Sequence, residues 1–298
     1  MTSLKKIIRK GYKKAKNILG SKNANKKNVI QFKKNIWQTD EISKSFVEGS
    51  NGNLLAAASI MDKEVNDFFL SHCKKNDKVL DIGCGHGIVS LFLAENGMQV
   101  TAIDISENLL SELKTQTLAR NLSIEIKKGD AYSIESPSNN FDSVVARMFL
   151  PHFPDWPIVL KEMVRVTKTG GKLLVHFASK ENSDAGKRLA IAECIFASST
   201  DISNPWTFYA ESDNAEINKV AKSNNLEVVN RTPLSFFLHN RIIGNQLGTE
   251  LYNKYMIDVQ NYMENEKVKE FILWFDQQIV SKCSPAISHF NIITFKKL

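Results

Sequence analysis

The chain has 298 residues, of which 43% are hydrophobic and 24% charged, a composition typical of a globular protein that can bury a full core. It contains no run of 18 apolar residues, and its first thirty residues lack a secretory signal, so we expect neither a transmembrane helix nor export. The cysteines form no CxxC pair, which predicts reduced thiols, no metal site and a cytoplasmic protein; they are Cys73, Cys84, Cys194 and Cys283.

Residues 1–36 are predicted to form a basic amphipathic arm and linker, separate from the domain that follows. They hold 11 Lys and one Arg without an acid, whereas the rest of the chain carries 27 basic against 32 acidic side chains. Apolar residues recur every three or four positions from Leu4 to Leu19, which predicts a helix with one apolar stripe. Such a helix favours the anionic inner face of a membrane; nucleic-acid phosphate and a solvated tail remain as alternatives.

Residues 78–104 predict a strand, a glycine-rich loop, a helix and a second strand that ends in an acid. The first strand, Lys78–Ile82, runs into the loop Gly83-Cys84-Gly85-His86-Gly87, and the second strand ends at Asp104. Glycines let the backbone approach a ligand closely, and the terminal acid can accept both ribose hydroxyls of an adenosine. The unit therefore predicts an adenosine-binding site at the carboxyl ends of the strands.

The spacing of the glycines distinguishes between two adenosine-containing ligands. A dinucleotide site needs the pattern G-x-G-x-x-G, but Ile88 stands where its third glycine belongs. Asp81-x-Gly83-x-Gly85-x-Gly87 is instead the pattern for S-adenosylmethionine, whose amino-acid tail and sulfonium face the loop. The sequence therefore predicts an S-adenosylmethionine site.

The remaining elements continue the alternation of helix and strand, which predicts an α/β fold with a doubly wound, seven-stranded, mostly parallel sheet. Further strands are predicted at 122–126, 141–145, 172–177, 226–229 and 290–295, and helices at 41–70, 107–120, 215–224 and from Trp156 onward. Two helical patterns separate the last two strands and predict a helical lid inserted at about 240–286. The lid, the 41–70 helices and the loop 200–212 are expected to shape the pocket for an acceptor.

Five segments carry a resemblance to a known family: VLDIGCGHG, VTAIDIS, KKGDAY, FDSVVARMFLPHF and LKEMVRVTKTGGKLLV. Together they make residues 78–177 similar to the core of class I S-adenosylmethionine-dependent methyltransferases, in particular the small-molecule subgroup typified by ubiquinone/menaquinone-biosynthesis methyltransferases. The resemblance implies a Rossmann-like methyltransferase domain over 37–298, with S-adenosyl-L-methionine as cofactor. Thr169 departs from the family's usual proline before Gly170 and Gly171, which affects only a turn.

The resemblance also implies a cofactor role for eleven residues. Those for the methionine moiety are Asp81, Gly83, Cys84, Gly85 and Gly87; those for the ribose are Asp104 and Ile105; those for the adenine are Asp130 and Ala131; and those beside the sulfonium are Arg147 and Met148. The plainer interpretations are a helix N-cap for Asp104 and a simple turn residue for Asp130.

Methyl transfer from a sulfonium is an in-line displacement, so the protein must align the acceptor and exclude water. A hydroxyl acceptor also needs a base; His152 and His86 are the candidates at this edge of the sheet, although each could be a packing or loop side chain. The predicted function is methyl transfer to a small-molecule, lipid-linked or glycan acceptor. The alternatives are an RNA methyltransferase that uses the arm and a non-catalytic scaffold that binds the cofactor. Nucleic acid is disfavoured because no Asn/Asp-Pro-Pro-aromatic motif follows the fourth strand.

Overall fold

A computed structural model describes residues 26–51, 55–189, 210–237, 251, 254–255, 257–259 and 261–298. Its strands are β1 Lys78–Ile82, β2 Gln99–Asp104, β3 Ile124–Lys128, β4 Phe141–Ala146, β5 Thr167–Ala178, β6 Leu226–Leu234 and β7 Phe290–Lys297. Its helices are α1 Lys26–Trp37, α2 Asp40–Asn51, α3 Leu55–His72, α4 Ile88–Glu95, α5 Glu107–Ala119, α6 Trp156–Val166, α7 Lys180–Leu189, α8 Asn214–Ser223 and α9 Glu266–Gln278.

The seven strands form one sheet in the order β3-β2-β1-β4-β5-β7-β6. The first five strands run parallel, and β7 lies antiparallel between β5 and β6. The predicted α/β fold with a seven-stranded, mostly parallel sheet is therefore confirmed. Because the strand order reverses beside β1, the carboxyl ends of β1, β2 and β4 border one crevice, the usual ligand position in such sheets.

Alternate residues of the central strands enter two separate cores, one on each face of the sheet. On one face, Leu80 of β1 packs in a cluster with residues of α6 and α8. On the other face, Val79 packs in a cluster with Val65 and Phe69 of α3 and Leu93 of α4. A parallel sheet with both faces covered needs apolar residues at consecutive positions, as β1 and β4 have.

The sixth strand, which precedes the lid, is longer than the sequence predicts. The sequence places the sixth strand at 226–229, whereas β6 continues to Leu234 and includes Pro233. A register shift between Val228 and Asn230 interrupts the alternation of side chains, which hides the continuation from a search for that pattern. Since β6 lies at the edge of the sheet, it tolerates a proline that a central strand would exclude.

Part of the predicted arm and linker belongs to a helix that packs on the domain. Residues 26–37 form α1, in which Val29 and Lys33 are buried. The boundary predicted at residue 36 therefore does not separate α1 from the domain, because packing of α1 depends on contacts with residues more than 90 positions away. The amphipathic stripe predicted from Leu4 to Leu19 lies outside the described residues. In the described parts of the chain, no helix combines the length and the apolarity needed to span a bilayer.

Candidate functional site

The loop after β1 turns sharply at its glycines. Gly83 and Gly87 have φ angles of 71° and 95°, a backbone region that residues other than glycine rarely adopt. A Cβ atom at Gly83 would clash with the Phe149 ring, and one at Gly87 with Leu113. The N–H groups of Gly83 and Cys84 donate to the Ile103 carbonyl at 2.8 and 3.1 Å, which ties the loop to the end of β2. Glycine at 83 and 87 is therefore required by both the backbone conformation and the available space.

Asp104 at the end of β2 joins that loop to the next helix. Its Oδ2 accepts a hydrogen bond from the Gly85 N–H and its Oδ1 accepts one from the Ser106 N–H, both at 2.9 Å. Burial raises the pKa of Asp104, while these N–H donors oppose the rise. A carboxylate offers about four lone-pair positions, and the Ile105 N–H also acts on Asp104, so at least one position remains for a hydroxyl donor from outside the protein. Ser106, and not Asp104, is the N-cap of α5, so the plainer interpretation of Asp104 was wrong.

Asp81 lies at the carboxyl end of β1, below the glycine loop. Its side chain is buried, with 1% of the residue exposed, and its Oδ2 accepts a hydrogen bond from the Ser90 hydroxyl at 2.5 Å. Burial raises the pKa of Asp81 to about 7, and the Asp104 charge adds to this; the Ser90 hydrogen bond and the Arg147 charge oppose it. A cation placed beside this carboxyl would favour its ionised form.

Three more residues predicted for the cofactor lie in buried or half-buried positions, and their contact with the cofactor stays a prediction. Cys84 is buried, and burial raises its pKa well above the usual value, so it is a neutral thiol rather than a nucleophile. Ile105 is half-buried between Asp104 and Ser106. Ala131 is buried in the core cluster beneath α6.

Arg147 follows β4 and points its charge toward the cofactor loop. Its guanidinium forms an ion pair with Asp62 of α3, and its side chain is only 14% exposed. Burial raises the pKa of Asp62, while Arg147 counteracts the rise. The Arg147 charge also lowers the pKa of both His86 and His176, which places all of these groups within reach of one charge.

Met148, the next residue, has a φ of 52°. Asparagine tolerates this left-handed region, but a methionine there is strained. Such a residue keeps this backbone conformation only where the surrounding structure imposes it. Strained residues of this kind cluster at ligand sites. Because Phe149 fills the space above Gly83, the strained turn and the glycine loop are fitted to each other.

Asp130 ends the turn after β3 and is already occupied by two donors. Its Oδ1 accepts a hydrogen bond from the Tyr132 N–H at 3.1 Å, and its Oδ2 pairs with the Lys34 ammonium of α1. The Gly129 N–H donates to the Asp104 carbonyl at 2.9 Å, which joins this turn to the end of β2. Asp130 thus has the turn role that was its plainer interpretation, and its contact with adenine stays a prediction.

The two histidines predicted as bases lie in different surroundings. The His152 Nδ1 is 3.2 Å from the Lys33 ammonium nitrogen, and its ring contacts Trp37 edge-on at 5.6 Å between centroids. Burial lowers the pKa of Lys33 to about 7. His86 is half-buried, and burial and the Arg147 charge lower its pKa, while Glu112 opposes them. Both rings are at the edge predicted for the site, and their role as bases stays a prediction.

Sequence reasoning missed several polar residues at this edge. Asp62 and Lys34 were missed because they meet their partners 85 and 96 positions away, which no local motif reveals. His176 of β5 is fully buried, and burial lowers its pKa to about 3, so it is neutral. Among the described residues, no group of three His, Cys, Asp or Glu side chains is arranged to hold a metal ion.

The central part of the chain matches a known domain family. Residues 80–175 match the family described as a methyltransferase domain. The strand order, the glycine loop and the acids that end β1 and β2 agree with this match. These residues are therefore similar to a class I S-adenosylmethionine-dependent methyltransferase domain, and S-adenosylmethionine is the cofactor that this match implies.

Curated relatives include quinone-biosynthesis enzymes. The chain is 35% identical over 124 residues to demethylmenaquinone methyltransferase of Listeria monocytogenes, covering 40% of this chain and 52% of that protein. It is 34% identical over 99 residues to ubiquinone biosynthesis O-methyltransferase of Coxiella burnetii, covering 33% and 42%. It is also 34% identical over 103 residues to phosphoethanolamine N-methyltransferase 3 of Arabidopsis thaliana, covering 34% and 21%. The predicted resemblance is confirmed, and the chain spans about a fifth to a half of the length of these relatives.

A solved structure shares the fold over most of the chain. The cyclase SpnF superposes with a TM-score of 0.53 at 16% identity, covering 79% of this chain and 80% of that one. The likeness shows the fold alone, and the fold is shared by a protein named as a cyclase. The reaction and the acceptor must therefore be argued from the site.

Proposed function

We propose that this protein transfers the methyl group of S-adenosylmethionine to a small-molecule acceptor. The observation that carries the proposal is Asp104, which organises the glycine loop through the Gly85 N–H and retains acceptor capacity for ribose hydroxyls. Bound S-adenosylmethionine supplies a methyl group on a sulfonium that is already activated for displacement. The protein residues need only bind, orient and exclude water.

The charges around Arg147 suit a cationic donor. An isolated guanidinium beside a sulfonium would repel it, but the ion pair with Asp62 largely cancels the Arg147 charge. Asp81, at the bottom of the loop, supplies a carboxylate for the ammonium of the amino-acid tail. His152 or His86 would accept the proton of a hydroxyl acceptor. For His86, burial and the Arg147 charge favour the neutral imidazole, which is the form that can accept a proton.

Binding of S-adenosylhomocysteine is expected to tighten about tenfold between pH 6 and pH 8. In the ligand-free protein the pKa of Asp81 is about 7, so below that pH the acid must release a proton before it can pair with the ligand ammonium. Affinity therefore rises with pH up to about 7 and then levels off. Calorimetry at both pH values checks this, with Asp81→Asn as the variant in which the rise disappears. Equal dissociation constants at the two pH values would contradict the role given to Asp81.

The helical insertion is proposed to act as a lid over the acceptor. Within its described part, Ile272 of α9 and Met263 pack against Ile60 of α3 in a small separate core. The helix α3 also supplies Asp62 to Arg147, so the lid and the cofactor loop meet through one helix. Such a lid would exclude water from the reacting methyl group.

The acceptor class is tested by incubating the protein with methyl-labelled S-adenosylmethionine and fractionated cell extract. Label is expected in a low-molecular-mass or lipid fraction, and Asp104→Ala serves as the matched inactive control. Label in the RNA fraction instead, or in none of the fractions, would contradict the proposal.

The basic arm is proposed to hold the protein peripherally on an anionic membrane, where a lipid-linked acceptor would be met. The support is the seven Lys and one Arg of residues 1–25, a stretch that contains no acid. Sedimentation with vesicles that contain phosphatidylglycerol is expected to capture the full chain but not a chain lacking residues 1–25. Equal sedimentation of both proteins would refute the membrane role of the arm.

A further inference from the structure

Helix α1 brings a lysine onto the carboxylate that is assigned to adenine. The Lys34 ammonium pairs with Asp130 Oδ2 and lies 4.7 Å from the centroid of the Tyr132 ring. The other oxygen of Asp130 accepts the Tyr132 N–H, and the Tyr132 hydroxyl donates to Asp155 at 2.6 Å. Both oxygens of Asp130 are thus engaged by groups of the protein itself.

We propose that Lys34 competes with the adenine amino group for Asp130 and thereby sets the affinity for the cofactor. The inference rests on the proposed function, since it takes Asp130 as the group that receives adenine. A charged ammonium forms a stronger hydrogen bond with a carboxylate than a neutral amino group does. The ion pair must therefore open, or share the carboxylate, each time the cofactor binds.

Other contacts keep α1 in place when Lys34 leaves Asp130. Lys33 lies against His152, Trp37 contacts the same imidazole ring, and Val29 is buried. The competition therefore involves movement of one side chain rather than loss of the helix. Because the Lys34 side chain is 24% exposed and that of Asp130 is 41% exposed, salt reaches the ion pair and weakens it.

The test is calorimetric binding of S-adenosylhomocysteine to wild-type protein and to Lys34→Met. The variant is expected to bind about two to five times more tightly, the range expected for removal of a partly exposed competing ion pair. Raising sodium chloride from about 0.05 to about 0.5 M is expected to tighten binding to the wild type and to leave Lys34→Met nearly unchanged. Lys63→Met is the matched control, because Lys63 forms an exposed ion pair with Asp67 on α3.

A second ligand separates competition for Asp130 from a general effect of charge. S-inosylhomocysteine lacks the amino group that Asp130 would accept, so Lys34→Met is expected to give it no gain in affinity. Equal gain for both ligands, or unchanged or weaker binding of S-adenosylhomocysteine to Lys34→Met, would overturn the inference. If Lys34→Met does not fold, Lys34→Gln and the salt titration of the wild type decide the question. Absence of any binding to the wild type would instead refute the proposed function, and the competition with it.

Discussion

Replacing Asp104 by alanine is expected to weaken binding of S-adenosylhomocysteine by at least about 100-fold. Each hydrogen bond from a ribose hydroxyl to a carboxylate contributes about 1.5–3 kcal/mol, and Asp104 keeps at least one lone pair free for such a bond. The variant also loses the acceptor that holds the Gly85 N–H, so the loop itself becomes less ordered. Calorimetric titration of the purified variant measures the loss.

A ligand comparison separates the ribose contacts from the loop. Adenosine and 2′-deoxyadenosine should differ in affinity for the wild type and differ much less for Asp104→Ala, since only the hydroxyl contacts distinguish them. Asp67→Ala, on the exposed face of α3, is the control for general loss of a carboxylate. Binding to Asp104→Ala within about fivefold of wild type would show that this carboxylate does not hold the ribose.

The cofactor half of the site could be predicted because its residues are close together in sequence. Asp81, the glycine loop and Asp104 lie within 24 consecutive residues, and local spacing places Asp81 next to the end of β1 and Asp104 at the end of β2. The parallel pairing of β1 with β2 then brings the two acids to the same edge of the sheet. The sequence pattern and the sheet topology both place the two acids at this edge, so their position could be predicted from periodicity and spacing.

The groups that set the charge of the site could not be predicted in the same way. Asp62 lies on α3 and Lys34 on α1, and neither belongs to a motif with the residue that it pairs with. Their positions depend on how the amino-terminal helices pack on the sheet, which the spacing of apolar residues does not determine. Lys34 was counted only as part of a basic arm, although the fold places it on Asp130.

Small boundary errors have equally local causes. The third strand was predicted from Leu122, but the Leu122 N–H donates to the Thr117 carbonyl at 3.0 Å and so belongs to the end of α5. Asn121, with a φ of 52°, makes the turn that allows this bond. An apolar residue that closes a helix cannot be distinguished from one that begins a strand by polarity alone.

Two buried acidic residues connect α3, the lid and the edge of the sheet. Glu64 of α3 and Asp276 of α9 are both buried, and the Asp276 carboxyl lies close enough to Glu64 to influence its pKa. The Ser235 hydroxyl donates to Glu64 Oε2 at 2.6 Å, and the Phe236 N–H donates to Asp276 at 3.3 Å. Burial and the neighbouring acid both disfavour the charged form of Glu64 and raise its pKa well above its usual value, so Glu64 keeps its proton.

Replacement of Glu64 by glutamine is therefore expected to change how stability depends on pH. In the wild type, the folded protein holds a proton that the unfolded chain, with a Glu pKa of about 4.3, releases. Stability contributed by this proton is present at acid pH and is lost as pH rises toward the raised pKa, by up to about 1.4 kcal/mol per pH unit. Glutamine cannot ionise, but its carbonyl can accept from Ser235 and its amide can donate to Asp276. The free energy of unfolding of Glu64→Gln minus that of wild type should therefore increase from pH 6 to pH 8.

Urea unfolding of both proteins at several pH values measures that difference. Asp81 and His176 also titrate with shifted pKa values, but both proteins contain them, so their contributions cancel in the difference. Glu135→Gln, at an exposed position, is the control for loss of a carboxyl group. Glu64→Ala should be destabilised at every pH, because it leaves a cavity and removes the partner of Asp276. A constant difference between Glu64→Gln and wild type would show that Glu64 does not keep its proton and that the lid is held on α3 by its apolar contacts alone.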